Sequence, residues 1–186
     1  FIQKYTPSAA DLGYGDGYSD IMATEKSFTF LTNASWTPDL QSGWSISNWT
    51  PIYNINYFLV HMREAKGLSE ATYNHYEGTA RFWRAWQYFE KVKTFGAVPW
   101  YDEPIDPEDM VALYKPRDSR EYVMERVLED LNFACEHCYT SWDWINCARI
   151  NRYIALAYKA RVCLFEGTYR KYHSVDPSTG KAWEDK

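Results

Sequence analysis

The sequence predicts an all-α fold of helical hairpins separated by long irregular loops. Three observations predict it. Apolar residues recur at intervals of three and four in four separate segments, capping residues open those segments, and no stretch alternates long enough to build a sheet. Residues 1–45 sustain neither period and are punctuated by Gly13, Gly15, Gly17, Gly43, Pro7 and Pro38, so they read as irregular. The first helix is expected to open with Thr50 as N-cap and Pro51 at N1, where the missing N–H costs nothing. It then carries Ile52, Ile55, Leu59 and Met62 on one face, and Gly67 stops it. Ser69 caps the second, in which Gly78, Phe82, Ala85, Phe89 and Val92 recur before Gly96 and Pro99 end the run. Ser119 opens the third, with a clean stripe of Met124, Val127, Leu128, Leu131, Cys135 and Cys138. The fourth is capped near Asn151 and carries Tyr153, Leu156, Ala157, Ala160, Cys163, Leu164 and Gly167, small residues that let a neighbouring backbone approach closely. The expected division is thus a single region: 1–45 irregular, 46–172 helical hairpins, 173–186 loop.

Composition narrows the function classes. The 186 residues hold 46% hydrophobic and 24% charged residues, an ordinary globular balance, and no apolar run approaches the roughly eighteen residues of a spanning helix. A net charge of -5 offers no general attraction to phosphate backbones, which argues against nucleic acid. The unusual term is rings: nine Trp, sixteen Tyr and nine Phe, 18% of the chain. Tyr and Trp join a flat apolar face to a polar handle, which suits interfaces and the apolar faces of sugars as well as bulky cores.

The starts of the first and third helices lie about 68 positions apart, twice the roughly 34-residue period of tetratricopeptide repeats. The connections near 97–118 and 139–150 exceed the short turns of such repeats. Long loops on a rigid frame more often carry function, so the site is sought there.

Four blocks resemble a known family. The first is Trp49, Ile52, Asn56, Phe58 and Leu59. The second, and most specific, runs from Glu77 through Ala80, Arg84-Ala85 and Tyr88-Phe89 to Phe95-Gly96-Ala97-Val98-Pro99. The third leads from Arg117-Asp118-Ser119 through Tyr122 to Asp130-Leu131 and Ala134, and the fourth from Arg149-Ile150-Asn151 to Ala160-Arg161-Val162, Leu164 and Gly167. Together they resemble the N-terminal part of the SusD/RagB family, surface-exposed outer-membrane lipoproteins of Bacteroidetes that serve glycan and nutrient uptake. Trp83 and Trp100 depart from its aliphatic pattern. The resemblance implies a tetratricopeptide-like scaffold, a fragment of a longer protein whose lipid-bearing Cys lies upstream, and a place at the cell surface. It also implies two partners, an oligosaccharide or other nutrient and a TonB-dependent, SusC-like outer-membrane transporter.

Glu77, Arg81 and Arg84 sit at i, i+4 and i+7 and read as scaffold ion pairs. The spacing of Cys135, Cys138, Cys147 and Cys163 matches no zinc site, and a helix C-terminus disfavours a thiolate, so buried thiols are expected. In the extracytoplasmic compartment that the resemblance implies, a bridge such as Cys138 to Cys147 is one arrangement, and the sequence does not choose among the pairings. Residues 14–20 lack calcium-loop spacing, and Gly13, Gly15 and Gly17 lack the rest of a phosphate cradle. No metal or cofactor is expected. The acidic run from Asp102 to Asp109 supplies carboxylates for a glycosidase, an alternative kept only because a carbohydrate substrate also explains the rings.

The remaining signal is the aromatic residues outside the helix stripes: Trp36, Trp44, Trp100, Tyr101, Trp142 and Trp144. Such rings stack on sugars while neighbouring amides and carboxylates bond hydroxyls. Trp36, Trp44 and Trp100 are the expected ligand-binding residues, because they flank the entry of the first helix and the exit of the second. The expected function is glycan capture without catalysis, with a helical protein-interaction scaffold as the competing reading.

Overall fold

The computed structural model describes residues 43–106, 108–141 and 149–184. The chain divides into two units, Phe1–Trp49 and Thr50–Lys186, and the packing described below belongs to the second. The elements are α1 (Ile46–His61, followed by a 3-10 turn at Met62–Glu64), α2 (Glu70–Phe95), α3 (Met110–Leu113), α4 (Arg120–His137) and α5 (Arg152–Tyr172). The all-α expectation holds: among the described residues the only β pairing is two isolated bridges, Val98 with Asp118 and Val175 with Ala182.

Three of the four starts follow the sequence. Ser69, Ser119 and Asn151 each accept a backbone N–H, from Thr72, Tyr122 and Ile154, which satisfies one orphan donor of the first turn. The first start does not. α1 begins at Ile46, a turn before Pro51, because Ser45 and Asn48 bond each other: Ser45 N–H donates to Asn48 Oδ1 at 3.2 Å and Asn48 N–H to the Ser45 carbonyl at 2.9 Å. Pro51 therefore lies inside the helix. At the other end of the pattern Gly96 closes α2 with a φ of 71°, a value a side chain adopts only under strain.

α2 packs on α4, and α4 on α5. The core joins Ile52 of α1 to Phe82, Ala85, Tyr88, Phe89 and Val92 of α2 and to Val123, Met124, Val127, Leu131 and Ala134 of α4. The close approach comes at Gly78, where a Cβ would stand 3.0 Å from Cys138 Sγ and 3.4 Å from the Ala134 Cα. α5 turns the other way from the expectation. Its predicted stripe faces outward, with Tyr153 64% and Leu164 73% exposed, while Ala155, Val162 and Glu166 face in. A carboxylate on the inner face hid that face from a hydrophobic count, since Glu166 is bonded there by Arg120. The C-terminal loop is anchored: Trp183 is buried, and its indole N–H donates to the His173 carbonyl at 2.5 Å.

Where α4 ends, Tyr139 N–H donates to His75 Nδ1 at 3.1 Å and the two rings stack at 4.1 Å. Burial, and secondarily the charge of Arg149, pushes His75 below its ordinary 6.5. The unfolded chain then binds the proton more readily than the fold. The His75 contribution is fully present above pH 6.5 and is lost as pH falls below it toward the lower folded value. Urea unfolding across that window should therefore show stability declining more steeply with acid in the parent chain than in His75→Asn, whose Oδ1 keeps an acceptor for Tyr139. Equal slopes would remove His75 from the account.

Candidate functional site

The long connection after α2 is held at both ends by polar side chains. Arg84 forms a fork with Asp130, Nε to Oδ2 at 2.7 Å and Nη2 to Oδ1 at 2.8 Å, and its Nη1 reaches Asn56 Oδ1 at 3.1 Å. Asn56 passes the chain of bonds on, donating to the Tyr101 carbonyl at 2.8 Å. The Tyr88 hydroxyl accepts from Tyr101 N–H at 2.7 Å and donates to the Tyr101 carbonyl at 3.3 Å, so one phenol holds both backbone groups of that residue. At the far end Asp118 accepts from Trp100 N–H at 2.7 Å and pairs with Lys115 at 2.7 Å. Arg84, Asp130, Asn56 and Tyr88 are all buried. Burial pushes the Tyr88 phenol strongly upward, which keeps it neutral and able to donate.

Glu77, Arg81 and Arg84 thus serve the scaffold, as their spacing suggested: Glu77 pairs with Arg81 at 2.8 Å, and Arg81 also approaches Asp130 at 3.6 Å. The acidic run is likewise occupied with backbone. Asp106 accepts from Glu108 N–H, and Asp109 caps α3 through Val111 and Ala112. Cys135, Cys138 and Cys163 carry free thiols, and Cys147 lies outside the described residues. Burial pushes the Cys138 thiol up to about 11, the behaviour of a packing residue rather than a nucleophile.

The predicted rings separate. Trp100 is 4% exposed, with its face against Tyr88 at 4.1 Å and the Arg84 guanidinium 5.2 Å from its centroid. It fills the core, and that corrects its expected place as a sugar platform: no face is left for a ligand. Trp44 is half-buried and meets Trp49 edge-on at 5.1 Å. Trp36, Trp142 and Trp144 lie outside the described residues.

What the sequence reasoning missed is a strip on α1. Tyr53 and Tyr57 are 43% and 51% exposed, with centroids 6.4 Å apart and planes at 23°, and His61 continues the row 4.3 Å from Tyr57. The signal was an i, i+4, i+8 aromatic spacing on the face away from Ile52 and Asn56, both buried. Two partly exposed, mutually stacked phenols combine apolar ring surface with hydroxyls, a chemistry that suits contact with a sugar.

The family described as starch-binding and associating with the outer membrane matches residues 7–164. The chain belongs to the SusD-like family. Four of the residues that motivated the resemblance, Asn56, Arg84, Tyr88 and Asp130, are joined in the network between α2 and α4. Among solved structures, a SusD-like protein from Bacteroides fragilis is 29% identical, covering 64% of this chain and 23% of its own, with a TM-score of 0.58. Surface glycan-binding protein A from Bacteroides fluxus is 26% identical over 69% of this SusD-like chain and 28% of its own, with a TM-score of 0.53. A laminarin-binding SusD-like protein shares the fold at 21% identity and a TM-score of 0.59, covering 68% of this chain and 27% of its own. The chain therefore spans about a quarter of the length of these structures. No curated protein matches it. SusD-like proteins form a carbohydrate-binding, cell-surface-associated family, and no described helix here is long and apolar enough to cross a membrane.

Proposed function

We propose that this SusD-like chain belongs to a cell-surface protein that captures oligosaccharide and delivers it to a TonB-dependent outer-membrane transporter, without catalysis. The observation that carries the reading is the exposed Tyr53–Tyr57 platform in a member of a carbohydrate-binding family. The surface anchor is a lipid on an upstream Cys. Trp36 and Trp44 are proposed as stacking rings on their own account; Trp100 contributes through the core.

Titration with laminari-, malto- and xylo-oligosaccharides, followed by calorimetry and Trp fluorescence, tests it. One class should bind saturably, and Tyr57→Ala should weaken it by roughly fivefold, the equivalent of about 1 kcal/mol of stacking. Binding indifferent to Tyr57 and Trp44 would displace the platform. Silence across the panel would favour the interaction scaffold, which the outward apolar face of α5 also supports, since Leu164 and Tyr153 there are solvent-facing.

A further inference from the structure

The inner face of α5 is thin. Over Arg152–Tyr172 it buries Ala155, Val162 and Glu166, and the last of these is a carboxylate. A helix in a folded protein draws most of its stability from packing an apolar face, and this side supplies little of it. The opposite side offers more. Tyr153, Ala157, Ala160, Leu164 and Gly167 follow one another in alternating steps of four and three residues and are all exposed, Tyr153 by 64% and Leu164 by 73%. Such steps keep a stripe on one side of a helix, the register in which a second helix packs lengthwise. Leu156, 45% exposed, widens the stripe.

The place of α5 in the array gives that face its meaning. α2 packs on α4 and α4 on α5, so these helices are added side by side in chain order. The last member of such an array needs a polar outer surface, and α5 presents an apolar one. It is built as an interior member. Solved SusD-like structures carry the length of chain to cover it, since this chain matches 23%, 27% and 28% of three of them and most of a protein of that size lies outside it. Charge narrows the occupant further. Glu166, the one carboxylate of α5, is turned inward, and the charged side chains the helix exposes are Arg161 and Lys171. In a chain of net charge -5 this is a local basic border, which carboxylates on the facing surface complement. A basic amphipathic helix also suits a lipid surface, but such helices insert bulky side chains, whereas Ala157, Ala160 and Gly167 in this stripe admit a close backbone. We infer that the outer face of α5 seats an amphipathic helix from the remainder of the same polypeptide, with large apolar residues over Ala157, Ala160 and Gly167 and carboxylates along its edges facing Arg161 and Lys171. The inference is independent of sugar binding, and it withdraws this face from the competing scaffold reading.

The test uses the purified full-length, non-lipidated protein. Hydroxyl-radical oxidation mapped by mass spectrometry should modify Tyr153 and Leu164 roughly tenfold or more slowly in the folded protein than in the urea-unfolded one. Leu164→Asp should restore the unfolded rate at Tyr153 while the buried Trp100 stays protected, which separates release of the covering helix from global unfolding. A carbodiimide should join Lys171 to an aspartate or glutamate beyond residue 186 of the same molecule, with mixed isotopic labels telling such links from links between copies. If the variant does not fold, the oxidation rates and the Lys171 link in the parent protein decide. Oxidation of Tyr153 and Leu164 at the unfolded rate would leave the face open and overturn the inference. So would a Lys171 that links only to residues 1–42 or to a second copy, or protection that arises only when vesicles of anionic lipid are added.

Discussion

Asp130→Ala is expected to destabilise the fold by about 3–5 kcal/mol, a large share of what a domain of this size possesses. The carboxylate is 3% exposed and receives two short bonds from Arg84, itself 7% exposed, with Arg81 nearby. Removing it leaves a guanidinium buried without its counter-charge, still holding Asn56 at 3.1 Å. The cost is that of stranding the charge rather than of losing an attraction. The double variant Arg84→Met with Asp130→Ala should therefore be less damaged than the sum of the single changes. Urea denaturation read by far-ultraviolet circular dichroism measures all three. A single variant within about 1 kcal/mol of the parent would mean that water reaches Arg84 and that the network does not hold the fold together.

Glu166→Ala should rank second, also near 3–5 kcal/mol and with a different local signature. Glu166 binds two arginines, Arg120 from α4 at 2.7 Å and Arg170 of its own helix at 3.0 Å. Arg170 retains Glu121 at 3.0 Å, so the stranded charge is Arg120 alone, held against Tyr169. The expected outcome is loosening of α5 from α4 ahead of the α2–α4 pair, seen as amide exchange that rises first along Arg152–Tyr172. Uniform acceleration across all helices would show that α5 is not a separable unit.

The parts of the fold legible in the sequence are those governed by local chemistry. Ser69, Ser119 and Asn151 satisfy their own helix starts within three residues, and Gly96 ends α2 by its own backbone freedom, so one stretch of sequence holds both cause and effect. The α2–α4 stripes follow because apolar residues at three- and four-residue spacing run through their buried faces, even though Arg84 and Asp130 are buried among them. Legibility fails where the partner is distant or charged. Trp100 looked like a loop ring because nothing adjacent reveals that Tyr88 and Arg84 wait for it on α2. The inward face of α5 was hidden because its Glu166 is made compatible with burial by Arg120, 46 positions away. The start of α1 was misplaced because a proline at a first helical position and one a turn inside look alike until Ser45 and Asn48 are seen to bond each other. Of the candidate site, the tyrosine spacing was present in the sequence, but periodicity alone does not say which side of a helix meets solvent.

The double hold of Tyr88 on Tyr101 has an evolutionary consequence. An exchange of N–H and C=O bonds with a neighbour is normally the work of an adjacent strand, and here one phenol on a helix performs it, while the Val98–Asp118 bridge closes the far side. The two ends of the excursion are therefore staked independently of what runs between them. Lengthening the stretch between the stakes adds only loop-closure entropy, about 0.6 kcal/mol for each doubling. The scaffold can thus accept interchangeable inserts at this position, so that recognition diversifies by swapping a cassette while the helices that carry it stay unchanged.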